Sequence, residues 1–169
     1  MSFSTAALKL PPKLAPFTAP LKDFQESYDN KTLLVVGAFI FSYGNGGMKA
    51  PQDTTGAKLE MPTPEPRMLL LHRASADAFG DLWDFPGGSV EQNDKTVVDA
   101  VKREVMEETG LQVSEIVECV GFHTWINERP GGDQKATKFV FIVKVAEESE
   151  ENDPEIKLAE TEHQAFTWA

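Results

Sequence analysis

Apolar residues along the chain fall into short runs at two spacings, which predict strands on either side of one helix. Leu33 to Tyr43 is rich in Leu, Val, Ile and Phe, the composition of a buried strand. Further strands are expected at about Arg67 to Arg73, Val113 to Trp125, Thr137 to Val145 and Ala165 to Trp168. Ahead of Val113 the spacing becomes helical, over about Thr96 to Thr109. Thr96, with Asp99 three residues on, can open that helix as a capping box, and Gly110 can close it in the left-handed conformation that glycine adopts cheaply. Strands around a central helix predict an α/β or α+β fold.

Outside these elements, Pro11, Pro12, Pro16 and Pro20 mark residues 1–30 as an extended Pro-rich arm rather than a domain. Residues 31–169 are read as one domain, consistent with a chain of 169 residues. Within it, 44–66 collects glycines and prolines and is expected to be a long loop. With 41% hydrophobic residues the chain can build a real core. Its net charge of -11 makes it a poor candidate for holding nucleic acid or an anionic membrane by bulk charge. An anionic ligand would instead need help from a divalent cation. Six acids between Glu147 and Glu155 account for about half of that charge and read as a solvated loop. Cys119 is the only cysteine, which excludes a disulfide framework and a multi-Cys zinc site. No apolar run approaches the roughly 18 residues of a membrane span, and the N-terminus has the pattern of neither a secretory signal nor a transit peptide. The expectation is a soluble cytoplasmic protein.

The chemistry-bearing segment is Trp83-Asp84-Phe85-Pro86-Gly87-Gly88 followed by the helix that ends Arg103-Glu104-Val105-Met106-Glu107-Glu108-Thr109-Gly110-Leu111. At about 100° per residue, Val97, Val101, Val105 and Val98 form one apolar stripe. Glu108 falls inside that stripe, Glu104 and Glu107 beside it, and Arg103, Asp99 and Lys102 on the opposite, wet face. Like charges at i, i+4 repel by a few tenths of a kcal/mol, and burying an unpaired carboxylate costs several kcal/mol. A bound divalent cation would remove both objections. Glu104, Glu107 and Glu108 are hard oxygen ligands suited to Mg²⁺, and Mn²⁺ would also fit.

This segment resembles the signature of the Nudix hydrolases, and Arg103 to Leu111 matches its second half at every specified position. The upstream Trp-Asp-Phe-Pro-Gly-Gly is also common in such proteins. The resemblance implies a Nudix-type α/β/α sandwich with a mixed sheet and a catalytic loop-helix-loop. It also implies a closing C-terminal helix, which is expected to be missing from a sequence that stops at Ala169. One departure lies in the motif. The family's acid sits six residues after the glycine and eight before the arginine. Counted from Gly88 the acid is Asp94, but Arg103 is then nine residues on. An extra residue in the loop Gln92 to Lys95 accounts for this more readily than one in the helix, because loops tolerate insertion. Either Glu91 or Asp94 could then pair with Arg103.

By the resemblance, the protein is a pyrophosphohydrolase acting on phosphoric anhydrides. Its substrate would be a small-molecule nucleoside diphosphate linked to another moiety, and its cofactor Mg²⁺ or Mn²⁺. Glu104, Glu107 and Glu108 would hold metal. Arg103 and Gly110 would be structural, Arg103 by pinning the loop through an acid, and Gly87, Gly88 and Arg73 would bind substrate. A general base from a later loop would be Glu162 or Glu160, with Glu162 preferred as nearer the final strand. Trp83 reads as core, and Cys119 as a core strand residue. His72, His123 and His163 lack ligand spacing and read as surface or hydrogen-bonded residues, while Phe122 and Trp125 are not assigned. The rival reading is a Nudix-fold nucleotide-binding or regulatory module without turnover. A calcium-binding protein is a weaker rival, because Glu91 to Glu104 lacks the glycine and alternating ligands of an EF-hand loop. Leu71-His72-Arg73-Ala74 lacks the threonine and serine expected of a coenzyme A subfamily. The lack of a tyrosine after Gly110 argues against dinucleoside polyphosphates.

Overall fold

A computed structural model describes residues 11–28, 31–44, 65–76, 79–128, 132–149 and 152–169. Most of the expected loop at 44–66, part of the acidic run and the start of the arm lie outside the described residues.

A mixed six-stranded sheet organises the chain, with β1 (Leu33–Ser42) at its centre. β5 (Gln134–Val145) runs parallel to β1 from Leu33↔Ala136 to Ile40↔Val143 and forms a long antiparallel hairpin with β4 (Val113–Asn127). On the other side, β2 (Arg67–Arg73) meets the end of β1 at Phe41↔Met68 and Ser42↔Arg67. It also pairs with β3 (Trp83–Asp84) and β6 (His163–Trp168). The register puts Leu34, Val36, Ala38 and Ile40 on one face with Phe139, Phe141 and Val143, all buried. Val97, Val101 and Val105 of α2 (Val97–Thr109) join the same core. Leu33, Val35 and Lys138 share the other face and line a cavity.

The N-terminal arm departs from the extended form expected of it. Pro12–Thr18 is a 3-10 helix and α1 covers Leu21–Tyr28. Leu14, Leu21 and Phe24 are buried, and the Phe17 ring meets Phe139 and Phe141 edge-on at 5.4 and 5.0 Å. Pro12 opens the 3-10 helix, where its missing N–H costs little, while Pro16 lies inside it; Leu14 and Phe17 in the first helix, and Leu21 and Phe24 in the second, give each an inward side. The proline content obscured this spacing.

Between β3 and α2 the chain runs along the edge of β1. Ala38 and Val36 donate their N–H groups to the carbonyls of Pro86 and Gly88 (2.8 and 2.9 Å), and Val90 donates to Leu34 (2.9 Å). A Cβ at Gly87 would run into the Val36 carbonyl, and the φ of 156° there is one that side chains rarely adopt. α2 then starts as the sequence predicts: Thr96 Oγ1 accepts from the Asp99 N–H at 3.1 Å. It closes on Gly110 at φ 72°. The helix is unbroken, and the loop Gln92 to Lys95, where the extra residue of the motif is expected, lies ahead of it. Lys95, in that stretch, accepts the Leu21 N–H with its carbonyl at 2.8 Å and so ties the arm to the loop.

Candidate active site

Two of the three helix glutamates are buried. Glu104 is 8% exposed and Glu108 is 3% exposed, among the valines of the stripe, whereas Glu107 points outward. Both buried carboxylates lie against the Gly87–Gly88 backbone. The Gly87 N–H donates to Glu108 Oε2 at 2.7 Å, and a Cβ on Gly88 would sit 2.6 Å from Glu104 Oε1. Glycine is therefore required at 87 by the β1 backbone, whereas a side chain at 88 would push the Glu104 carboxylate from its place. Glu108 Oε1 is 2.9 Å from His163 Nε2. Burial pushes the Glu104 carboxyl up to about 7; the Arg103 charge pulls it down, but not far enough to cancel the desolvation.

Arg103 differs from the wet-face residue that the helical projection predicts. Its side chain is only 21% exposed and reaches five acceptors. Nε and Nη2 donate to the two oxygens of Asp94 at 3.0 Å each, and Nη2 also donates to the Ser89 carbonyl at 2.9 Å. Nη1 donates to Glu104 Oε1 (2.9 Å) and Glu107 Oε2 (3.0 Å). The loop folds back over this side of the helix, and a long guanidinium can span the gap where a projection of Cα positions cannot show it. Asp94, buried, is the acid that pins Arg103, while Glu91 lies 4.0 Å from it. Burial works to raise the Asp94 carboxyl, but hydrogen bonds from Arg103 and from the Glu91 N–H outweigh it and hold Asp94 below its ordinary value.

In front of Gly87 and Gly88 opens a cavity of about 430 Å³. Its lining includes Arg73, Lys138 and Asp84 together with Phe79, Leu82, Trp83 and Trp125. Lys138 Nζ is 3.1 Å from Asp84 Oδ2 and lies 4.1 Å from the centre of the Phe85 ring. The sequence profile of the NUDIX domain matches residues 59–169, more than half of the chain. The chain belongs to the Nudix family.

Solved structures agree on the fold. The MutT protein from Methanosarcina mazei Go1 is 23% identical at a TM-score of 0.52, over 81% of this chain and 75% of that one. The NUDIX domain of Shewanella oneidensis NrtR, solved in complex with ADP ribose, is 18% identical at a TM-score of 0.55, over 87% and 80% of the two chains. No curated protein matches the chain by sequence. β1 lies before the matched segment, yet it is the central strand of this Nudix sheet.

Nudix proteins generally use divalent metal ions. The donor set here suits one: two hard-oxygen carboxylates, Glu104 and Glu108, buried in apolar surroundings, with Arg103 beside Glu104. The expected trio, however, is not gathered into a single cluster. Glu107 is drawn to Arg103 on the outer side of the helix. Among the described residues, the group whose ligand atoms all approach within 4.8 Å of one another is Glu108, Glu162 and His163. Glu162 therefore stands beside Glu108 of the motif, while Glu160 is not part of that group. Gly87, Gly88 and Arg73 all line the cavity.

Trp83 is not the core residue that the sequence predicts. It is 48% exposed, stacks on the His72 ring at 4.7 Å and lines the cavity. β3 is only two residues long, too short for its alternation to show which way Trp83 faces. Trp125 also lines the cavity and donates Nε1–H to Asn127 at 2.8 Å, whereas Phe122 is exposed. Cys119 packs against the core. Sequence reasoning missed Lys138 and Phe79 at the cavity, since nothing in their spacing distinguishes them from other strand and loop residues, and gave Asp84, within the chemistry-bearing segment, no role of its own. The acidic run is also less uniform than a solvated loop. Ser42 Oγ and Arg67 Nη2 both donate to Asp153 at 2.6 Å, and Glu147 accepts the Gln112 N–H.

Proposed function

We propose that this Nudix protein is a Mg²⁺-dependent pyrophosphohydrolase that cleaves the diphosphate bond of a nucleoside diphosphate linked to another moiety. One observation carries the reading: the buried Glu104 and Glu108 carboxylates lie directly behind the Gly87–Gly88 wall of the cavity. Glu104 and Glu108, with Glu107 or Glu162 completing the set, would hold the cation. When bound, it supplies charge neutralisation for the diphosphate and a lowered pKa for water. Lys138 and Arg73 bring positive charge to the cavity for the phosphates. Phe79 and Trp83 offer exposed rings and Trp125 a half-buried one for a planar base, and such stacking is worth about 1–3 kcal/mol per base. Where Glu107 completes the cation's set, Glu162, exposed and beside Glu108, would take the proton of the attacking water. Water oxygen bonds to phosphorus, the anhydride P–O bond breaks, and two phosphorylated products leave. The cytoplasm is the proposed compartment.

A hydrolysis panel over nucleoside diphosphate derivatives, with Mg²⁺, Mn²⁺ or excess chelator and with product identification, tests this. Turnover that requires metal and disappears in Glu108→Gln is the expected result. Hydrolysis undiminished by chelator refutes the metal reading. Tight nucleotide binding with no turnover on any member favours the binding-module alternative.

A further inference from the structure

His163 opens β6 opposite Arg73 of β2 and is 3% exposed. Its Nε2 lies 2.9 Å from Glu108 Oε1, and its buried Nδ1 has no hydrogen-bond partner among the described residues. We propose that His163 is a positioning residue for Glu108: its Nε2–H and the Gly87 N–H clamp the two carboxylate oxygens and so orient Glu108 for its cation. The inference rests on the reading of Glu108 as a metal-holding group.

The proton's position follows from the two faces of the ring. A carboxylate oxygen offers only acceptor lone pairs, so Nε2 must donate to it. Nδ1 meets no acceptor, and a buried N–H without one is rarer and costlier than a bare nitrogen. Both arguments put the proton on Nε2. The same reasoning disfavours ligation through Nε2, even though one ring nitrogen of His163 falls within 4.8 Å of Glu108 and Glu162 ligand atoms. Ligation through Nε2 would move the proton to Nδ1, where it has no acceptor.

The clamp acts on a torsion that is otherwise soft. The terminal torsion of a glutamate is broad, so one hydrogen bond leaves the carboxylate plane poorly defined. Here one donor falls on each oxygen, Gly87 N–H on Oε2 at 2.7 Å and His163 Nε2–H on Oε1 at 2.9 Å. A carboxylate has about four lone-pair directions, so two donors leave one on each oxygen for a cation. Partners of this kind typically change metal affinity about 10–100-fold when removed. The arrangement also makes the final strand part of the site, since β6 sets where the imidazole stands.

The test is Mn²⁺ affinity of the full chain by calorimetry, with the melting temperature of each metal-free variant and imidazole ¹⁵N spectra of the wild type. Glutamine places an amide N–H at the reach of Nε2, whereas asparagine places it at the reach of Nδ1. His163→Gln should keep wild-type Mn²⁺ affinity, and His163→Asn and His163→Phe should lose about 10–100-fold. The spectra should show a protonated Nε2 and a bare Nδ1. Unchanged affinity in folded Asn and Phe variants, or a proton on Nδ1, overturns the role of His163 and leaves the proposed function standing. Wild-type protein that binds no Mn²⁺ overturns the metal-holding reading of Glu108 itself. If the Asn and Phe variants do not fold, the wild-type spectra decide: a protonated Nε2 with a bare Nδ1 supports the clamp, and a proton on Nδ1 overturns it.

Discussion

Replacing Arg103 with methionine should unfold the protein at a markedly lower temperature, by an amount the contacts of Arg103 allow to be worked out. The guanidinium holds both oxygens of Asp94, whose side chain is 5% exposed, together with Glu104, Glu107 and the Ser89 carbonyl. Methionine keeps most of the aliphatic stem and leaves Asp94 as a buried carboxylate without its cation. Breaking a buried pair in this way costs about 3–5 kcal/mol. Arg103 itself retains 21% exposure, so water can partly screen what is left and the lower figure, about 3 kcal/mol, applies. For a chain of this size each kcal/mol shifts the midpoint by about 2–4 °C, which gives a fall of about 6–12 °C at pH 7. Thermal unfolding followed by circular dichroism, in chelator, measures it. The pH dependence gives a second check. Asp94 is held below its ordinary value in the folded protein, so the stability it contributes is present above the unfolded value near 3.9. It is lost as pH falls through the folded value. The gap between wild type and Arg103→Met should therefore narrow below about pH 4. A gap of less than about 2 °C at pH 7, or one that widens in acid, would show that Arg103 does not stabilise the loop through Asp94.

Three further outcomes follow from the same geometry. Burial raises the Glu104 carboxyl to about 7, so its favourable contribution is complete below the unfolded value and is lost as pH rises towards and through about 7. In chelator, Glu104→Gln should flatten the fall in melting temperature between pH 5 and 8, and an unaltered curve would refute the burial argument. Glu162→Gln should lower the turnover rate about 10²–10⁴-fold with a much smaller change in the Michaelis constant, while Glu160→Gln stays near wild type. Equal effects from the two would remove Glu162 as the base. Trp83→Ala should raise the Michaelis constant for a base-bearing substrate about 5–100-fold while leaving the melting temperature within about 2 °C, because Trp83 is an exposed wall residue. A melting temperature that falls sharply would return Trp83 to the core.

Sequence alone determined the elements whose signal is local. α2 was legible because Thr96 and Gly110 punctuate it and four valines recur on one side, and its caps are formed by those same residues. β2 was legible as Arg67–Arg73, bounded by polar and turn residues, and the motif from Arg103 to Leu111 identified the family that the domain profile bears out. The helical projection also placed Glu108 within the buried stripe, because burial on a helix follows a fixed period.

Tertiary structure decided what depends on residues distant in sequence. Arg103 leaves the wet face only because a loop upstream returns to offer Asp94 and Ser89, 9 and 14 residues away. Trp83 is exposed because a two-residue strand sits at the side of β2, with His72 as its stacking partner. His163 becomes a partner of Glu108 across 55 residues because β6 pairs with β2, and no spacing in the sequence records that pairing. The arm is helical because Leu14, Phe17 and Phe24 find a surface built by β5, from the far end of the chain. Local periodicity reports which side of an element is apolar. What that side meets, and which charges are brought to its edge, is set by packing between elements far apart in the chain.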